Sequence, residues 1–102
     1  MKFPSIDEAR NTSAKYYAIN VKEWHRILTE RIANQISVAM QNGSYKCIVD
    51  FTCYIQDKAF ETALDEICHD LGERGYEITY THSGTEYNTT CDCICVSWEL
   101  RF

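Results

Sequence analysis

Proline and glycine are scarce in this chain of 102 residues: one proline, and four isolated glycines at positions 43, 72, 75 and 84. Collagen-like and linker-like sequences are excluded by that shortage. So is a glycine-rich loop of the kind that cradles phosphate. Long apolar runs are missing too, and no segment approaches the roughly 20 apolar residues that a membrane-spanning helix needs. Met1-Lys2-Phe3-Pro4-Ser5 leads into charge rather than an apolar stretch, which predicts no signal peptide and a cytoplasmic location. Positive charge is in short supply, with ten Lys and Arg against fifteen Asp and Glu and a formal net charge of −5. Duplex binding rests largely on cations meeting phosphates, so a duplex nucleic-acid partner is not expected. Catalytic signatures are missing as well: no G-x-S-x-G elbow, no S-x-x-K and no H-E-x-x-H. The sequence therefore predicts no enzyme, no catalytic residue, no cofactor and no metal centre.

What is present is ordinary globular material. Hydrophobic residues make up 45% of the chain and aromatic residues 13%, enough to build one core in a chain of single-domain length. Ser5-Ile6-Asp7-Glu8 has the form of a capping box and predicts a short helix or arm over residues 6–17. Asn20-Val21-Lys22-Glu23 repeats that pattern and predicts the start of a second helix, which Asn42-Gly43 would stop. On this helix Val21, Trp24, Leu28, Ile32, Ile36 and Ala39 fall within about 120° of one another, and Ile27 and Val38 flank them. The apolar arc approaches half the cylinder, more than one sheet face covers. It predicts a homo-oligomer built on this helix, with Val21, Trp24, His25, Ile27, Leu28 and Ile32 at the contact.

Tyr45 to Gln56 is β-branched, aromatic and cysteine-rich and predicts a first strand. Asp57 caps a third helix that closes near Gly72 and Gly75. Tyr76 to His82 and Cys91 to Leu100 predict two further strands, joined by a polar connection over 83–90. The expected architecture is α+β in the order α-α-β-α-β-β. It has a small three-stranded mixed sheet with two helices packed on one face, in a single domain with an arm over 1–18 and a core over 20–102.

Six cysteines are many for this length. Cys91, Cys93 and Cys95 alternate along one expected strand, where same-face neighbours lie about 7 Å apart. That is too far for a disulfide, and no C-x-x-C pair marks a zinc site. They read as small apolar fillers. Charge is segregated: residues 1–46 carry +3 and residues 47–102 carry −8. The split reads either as ordinary solvated faces on the second and third helices or as a long basic helix that faces an anionic partner, the acidic half of another subunit or a small ligand. Arg26 and Arg31 are candidates to fork onto phosphate. Trp24 and Tyr87 are candidates to stack on a base, and Thr85 and Asn88 supply polar groups from the 83–90 segment.

Three stretches carry a resemblance. A helix runs through Ala39 into Gly43-Ser44-Tyr45-Lys46-Cys47, a second ends as Leu71 before Gly75-Tyr76-Glu77-Ile78, and Val96-Ser97-Trp98 lies near the end. Together they resemble a group of short proteins encoded by phages and prophages. The resemblance implies an α/β fold with the element order above. It also implies a role similar to that of counter-defence sponges, which oligomerise and sequester small nucleotide immune signals without cleaving them. The alternative is a virion or host-takeover adaptor acting by protein–protein contact.

Overall fold

The computed structural model describes residues 3–85 and 88–99. The fold is α+β, and the described residues form two helices and a three-stranded sheet in the order α1 (Ile6–Gln41), β1 (Lys46–Asp50), α2 (Lys58–Glu73), β2 (Glu77–Thr85) and β3 (Asn88–Ser97).

The first departure from expectation is that the two N-terminal helices are one. Ser5, in extended conformation, caps α1 by accepting the Glu8 N–H on its hydroxyl at 3.1 Å. From there 36 residues run without a break. The second capping pattern at Asn20 goes unused because an N-cap must leave helical geometry. Neither glycine nor proline lies between Ile6 and Gln41 to make that favourable. An asparagine inside a helix costs only about 0.7 kcal/mol relative to alanine, less than a second nucleation.

Both helices end alike. Ser44 N–H reaches Ala39 O at 2.9 Å and Gly43 N–H reaches Met40 O at 3.0 Å; Tyr76 N–H reaches Leu71 O at 3.0 Å and Gly75 N–H reaches Gly72 O at 3.1 Å. This paired closure needs a residue with positive φ just past the helix, and Gly43 (78°) and Gly75 (100°) supply it. At the other end of α2, the Asp57 carboxylate accepts the Phe60 N–H at 2.8 Å.

The sheet order is β1-β3-β2, and both neighbouring pairs are antiparallel. The expected mixed sheet is corrected here: β1 and β2 run the same way, but the β2–β3 hairpin places β3 between them. The first strand is also shorter than expected and ends at Asp50 rather than Gln56. The Asp50 carboxylate accepts both the backbone N–H and the hydroxyl of Thr52 at 2.8 Å, and that local turn diverts the chain. The 83–90 connection is likewise corrected. Ser83 pairs with Thr90, Gly84 with Thr89 and Thr85 with Asn88, so the ladder continues where a polar loop was expected.

One face of the sheet is covered. Cys47 and Val49 of β1 align with Val96 and Ile94 of β3, and these align with Ile78 and Tyr80 of β2. Leu28, Ile32 and Ile36 of α1 and Phe60, Ala63, Leu64 and Ile67 of α2 complete this core. The core engages only part of α1. Over residues 3–20 every side chain but Ala9 is exposed, and the Tyr17 hydroxyl on Thr62 Oγ1 at 2.6 Å marks where α1 meets α2. The molecule is consequently 62 Å long but only 27 × 23 Å across. Its radius of gyration of 16.9 Å exceeds the ~13 Å of a compact chain this size.

Candidate interaction surface

Trp24 is not free to stack on a base. It is half-buried and meets Tyr54 edge-on at 5.5 Å and Phe60 at 5.1 Å, while Phe51 meets Phe60 at 5.7 Å. This ring cluster seals the end of the core beneath the 51–57 segment, and each edge-to-face pair adds about 0.5–1.5 kcal/mol beyond its burial. The strand that stops early at Asp50 is what brings Tyr54 back over Trp24.

Arg26 is exposed and held by its own helix, 3.0 Å from Glu23 and 3.6 Å from Glu30. The hydrogen bond to Glu23, then the charges of Glu23 and Glu30, raise its pKa above the usual arginine value. Arg31 lies with its guanidinium carbon 5.5 Å from the centre of the Tyr54 ring. Its Nε is buried and has no hydrogen-bond partner among the described residues. The Asp50 carboxyl is held below the usual carboxylate range, chiefly by the Thr52 N–H and hydroxyl and to a lesser degree by the Arg31 charge. Arg26 and Arg31 are thus each engaged by acidic or aromatic groups of their own chain. Thr85 and Asn88 pair in the backbone ladder, and Tyr87 lies outside the described residues.

Of the expected contact residues, Leu28 and Ile32 are wholly buried in their own chain at 0% and 2% exposure. They cannot face a partner, because α2 and the sheet together cover the apolar stripe that looked too wide for one sheet face. Val21 packs against the core from its edge, Ile27 is half-buried and His25 is exposed, with His25 Nδ1 3.4 Å from the Thr29 hydroxyl. Between the helices runs a groove of about 370 Å³ floored by Ile32, Ile36, Ile67 and Leu71, with Thr29 and Ala33 on its α1 wall.

The surface that sequence reading misses is the outer side of α1. Ile6, Tyr16 and Val38 are 65%, 57% and 47% exposed. With Ile27 they fall within about 80° of one another at 100° per residue. The signal is present as a spacing of ten or eleven residues, three helical turns, but a sequence that predicts two separate helices hides a stripe crossing both.

The cysteines divide differently from expectation. Thr81 pairs with Cys93 but His82 pairs with Cys91, so Asp92 is an extra residue in β3. This bulge turns Cys91 to the helix-covered side, away from Cys93 and Cys95. The Gln56 side chain fastens it there, with Oε1 accepting the Cys91 N–H at 2.8 Å and Nε2 donating to the Cys91 carbonyl at 2.6 Å. Burial, followed by the neighbouring Cys68 and Cys93, pushes the Cys91 thiol up to about 11. Burial also raises Cys68. Such thiols stay protonated at neutral pH and are poor nucleophiles. Among the described residues no cluster of His, Cys, Asp and Glu is placed to hold a metal ion. No helix among them is long and apolar enough to cross a membrane. No protein-family model, curated protein or solved structure matches this chain.

Proposed function

We propose that this chain is a non-enzymatic protein–protein interaction module of the virion or host-takeover adaptor kind, working through the projecting half of α1. One observation carries the reading. A helix of 36 residues gives only part of its length to its own core and holds Ile6, Tyr16 and Ile19 in solvent at the other end. Ile6 and Tyr16 lie on one side of that helix with Val38, and an exposed apolar stripe favours a partner surface over a solvated one.

Capture of a small anionic nucleotide, by an oligomer in the host cytoplasm, is the second reading. The buried, unpartnered Arg31 Nε favours it, since such a donor gains by meeting an acceptor. The adaptor reading ranks first because Trp24 and Arg26 are both occupied within the chain.

Removing residues 1–14 tests the choice. The shortened chain should keep the melting temperature of the core and lose every association with other proteins that the full chain shows. Calorimetric titration with cyclic dinucleotides and cyclic ADP-ribose isomers should give no heat. Binding heat that survives removal of the arm would transfer the conclusion to the second reading.

A further inference from the structure

The strand β1 is an edge of the sheet. In an antiparallel ladder the residues of a strand turn their N–H and C=O alternately toward the neighbouring strand and away from it. The Trp98 N–H bonds Tyr45 O and the Phe51 N–H bonds Asp92 O, so the odd-numbered residues here, Cys47 and Val49 included, bond β3. The N–H and C=O of Lys46, Ile48 and Asp50 therefore point outward, and no group among the described residues meets them. Although α1 lies over β1, it does not close this edge: Cys47, on the side the helices cover, is only half-buried.

The strand Lys46-Cys47-Ile48-Val49-Asp50 is its own complement. Laid antiparallel against a second β1 with Ile48 opposite Ile48, it sets Lys46 opposite Asp50 and Cys47 opposite Val49. Cation meets carboxylate, and apolar meets apolar. The same register turns the outward groups of one strand onto those of the other. A shift of two residues would keep that alternation but set a charge beside Ile48 and lose bonds. A self-complementary patch is what an isologous two-fold contact requires. We propose that two copies of this chain join through β1, antiparallel about a two-fold axis at Ile48, into one continuous sheet.

Six backbone hydrogen bonds close the join: two between the Ile48 residues and two in each Lys46–Asp50 pair. The Ile48 side chains, 66% exposed in the single chain, come to about 5 Å from each other on the open face of the sheet. Thr52 occupies only Oδ1 of Asp50, which leaves Oδ2 for Lys46 of the other copy. Lys46 forms no ion pair among the described residues. A lysine on an edge strand ordinarily guards it against passing strands. Here the guard accepts a strand that runs the opposite way with a carboxylate four residues on, and a second β1 is such a strand. The contact does not involve the projecting half of α1, so it goes beyond the adaptor reading and holds or fails separately from it. Because α1 lies over β1, the two-fold sends the two arms out in opposite directions and gives the dimer two partner surfaces.

Amide hydrogen exchange of the full chain, with its cysteines kept reduced, tests the edge directly. From tens of micromolar to about a millimolar, the amides of Cys47 and Val49 should stay protected, being bonded to β3. Protection of Lys46, Ile48 and Asp50 should rise with concentration, in step with the dimer fraction in sedimentation equilibrium. Ile48→Pro removes an outward N–H that its own chain does not use, so it should keep the far-ultraviolet circular dichroism and abolish the dimer. Lys46→Glu sets a carboxylate beside Asp50 in two places and should weaken dimerisation about tenfold. Adding Asp50→Asn, which keeps an acceptor for Thr52, should recover about threefold of that loss. Outward amides that exchange freely at every concentration, or a chain that sediments as a monomer at a millimolar, would overturn the proposal. So would a dimer that Ile48→Pro and Lys46→Glu leave at full strength, because its contact would then lie elsewhere.

Discussion

Gln56→Ala is the substitution whose cost follows most directly from the geometry. Beyond Asp50 the chain no longer supplies a strand beside β3, and the Phe51 N–H makes its last backbone bond there, to Asp92 O at 2.8 Å. The next backbone groups of β3 belong to Cys91, which is 7% exposed. Both of them, N–H and carbonyl, are satisfied by the one primary amide of Gln56 at 2.8 and 2.6 Å. That amide stands in for a residue of the missing strand. Deleting it removes two part-buried hydrogen bonds and strands a donor and an acceptor against the core. At about 1–2 kcal/mol each, the loss should be about 2–4 kcal/mol. For a domain of this size that is a fall in melting temperature of about 10–20 °C. Urea denaturation followed by circular dichroism measures it, with an unchanged slope showing that the same surface unfolds. Gln56→Glu sharpens the test. An ionised carboxylate still accepts the Cys91 N–H but cannot donate to the carbonyl, so its deficit should shrink below about pH 4, where the protonated acid donates again. A Gln56→Ala protein within about 0.5 kcal/mol of wild type would refute the claim that this side chain completes the ladder.

Leu28→Ala and Ile6→Asp should separate core from arm. The first empties a site that is 0% exposed and should cost about 3–5 kcal/mol, whereas the second should leave unfolding within about 0.5 kcal/mol while weakening association. Thiol labelling of the native protein at pH 8 should modify exposed Cys53 first and spare buried Cys68 and Cys91. Because Cys91 is raised from 9.0 to about 11 on folding, the unfolded thiol ionises first. Stability should therefore hold up to about pH 9 and fall between pH 9 and 11; a stability that rises over that interval would contradict the burial of this thiol.

Much of the fold was legible because its signals are local. Ser5 and Asp57 as caps, Asn42-Gly43 as a stop, and a second stop near Gly72 and Gly75, of which the structure uses Gly75, each depend on residues within a turn or two. What failed was long-range or negative. Asn20 carries a capping pattern, yet a pattern permits a helix start without demanding one, and only a breaker nearby would have forced it. Phe51, Cys53 and Ile55 continue the alternation of β1, yet Asp50 and Thr52 close a turn through side-chain bonds that alternation does not register. Cys91 lies two residues from Cys93, which implied a shared face until the bulge at Asp92 reversed it. The candidate site suffered most. Trp24, Leu28 and Ile32 stood out as contact residues for their apolarity, and apolar residues near the centre of a helix are the first to be claimed by their own chain. Ile6 and Tyr16 escaped notice because each alone looks like an ordinary surface residue.

The projecting end of α1 also bears on how such a surface is used. An isolated segment of about a dozen residues is marginally helical in water, since nucleation is costly and each added residue gains little. Here nucleation is supplied by the part of α1 clamped to the core at Leu28, Ile32 and Ile36, so the arm need only propagate from a helix already formed. At its far end Ser5 caps the Glu8 N–H, and Asp7 and Glu8 lie in the first turn against the positive pole of the helix. These contributions, about 1 kcal/mol for the cap and a few tenths for each charge, favour an arm that is already helical before any partner arrives. A partner then meets a preformed stripe and loses little ordering entropy, which lets a contact of modest area hold. The same reasoning explains why the arm is not more apolar. Tyr16 gives contact area with a hydroxyl that water accepts, Arg10 and Lys15 keep the exposed helix soluble, and a greasier sequence would associate without specificity. Burial in the core therefore sets the strength of this fold, and the proposed partner surface depends on a few exposed residues along α1.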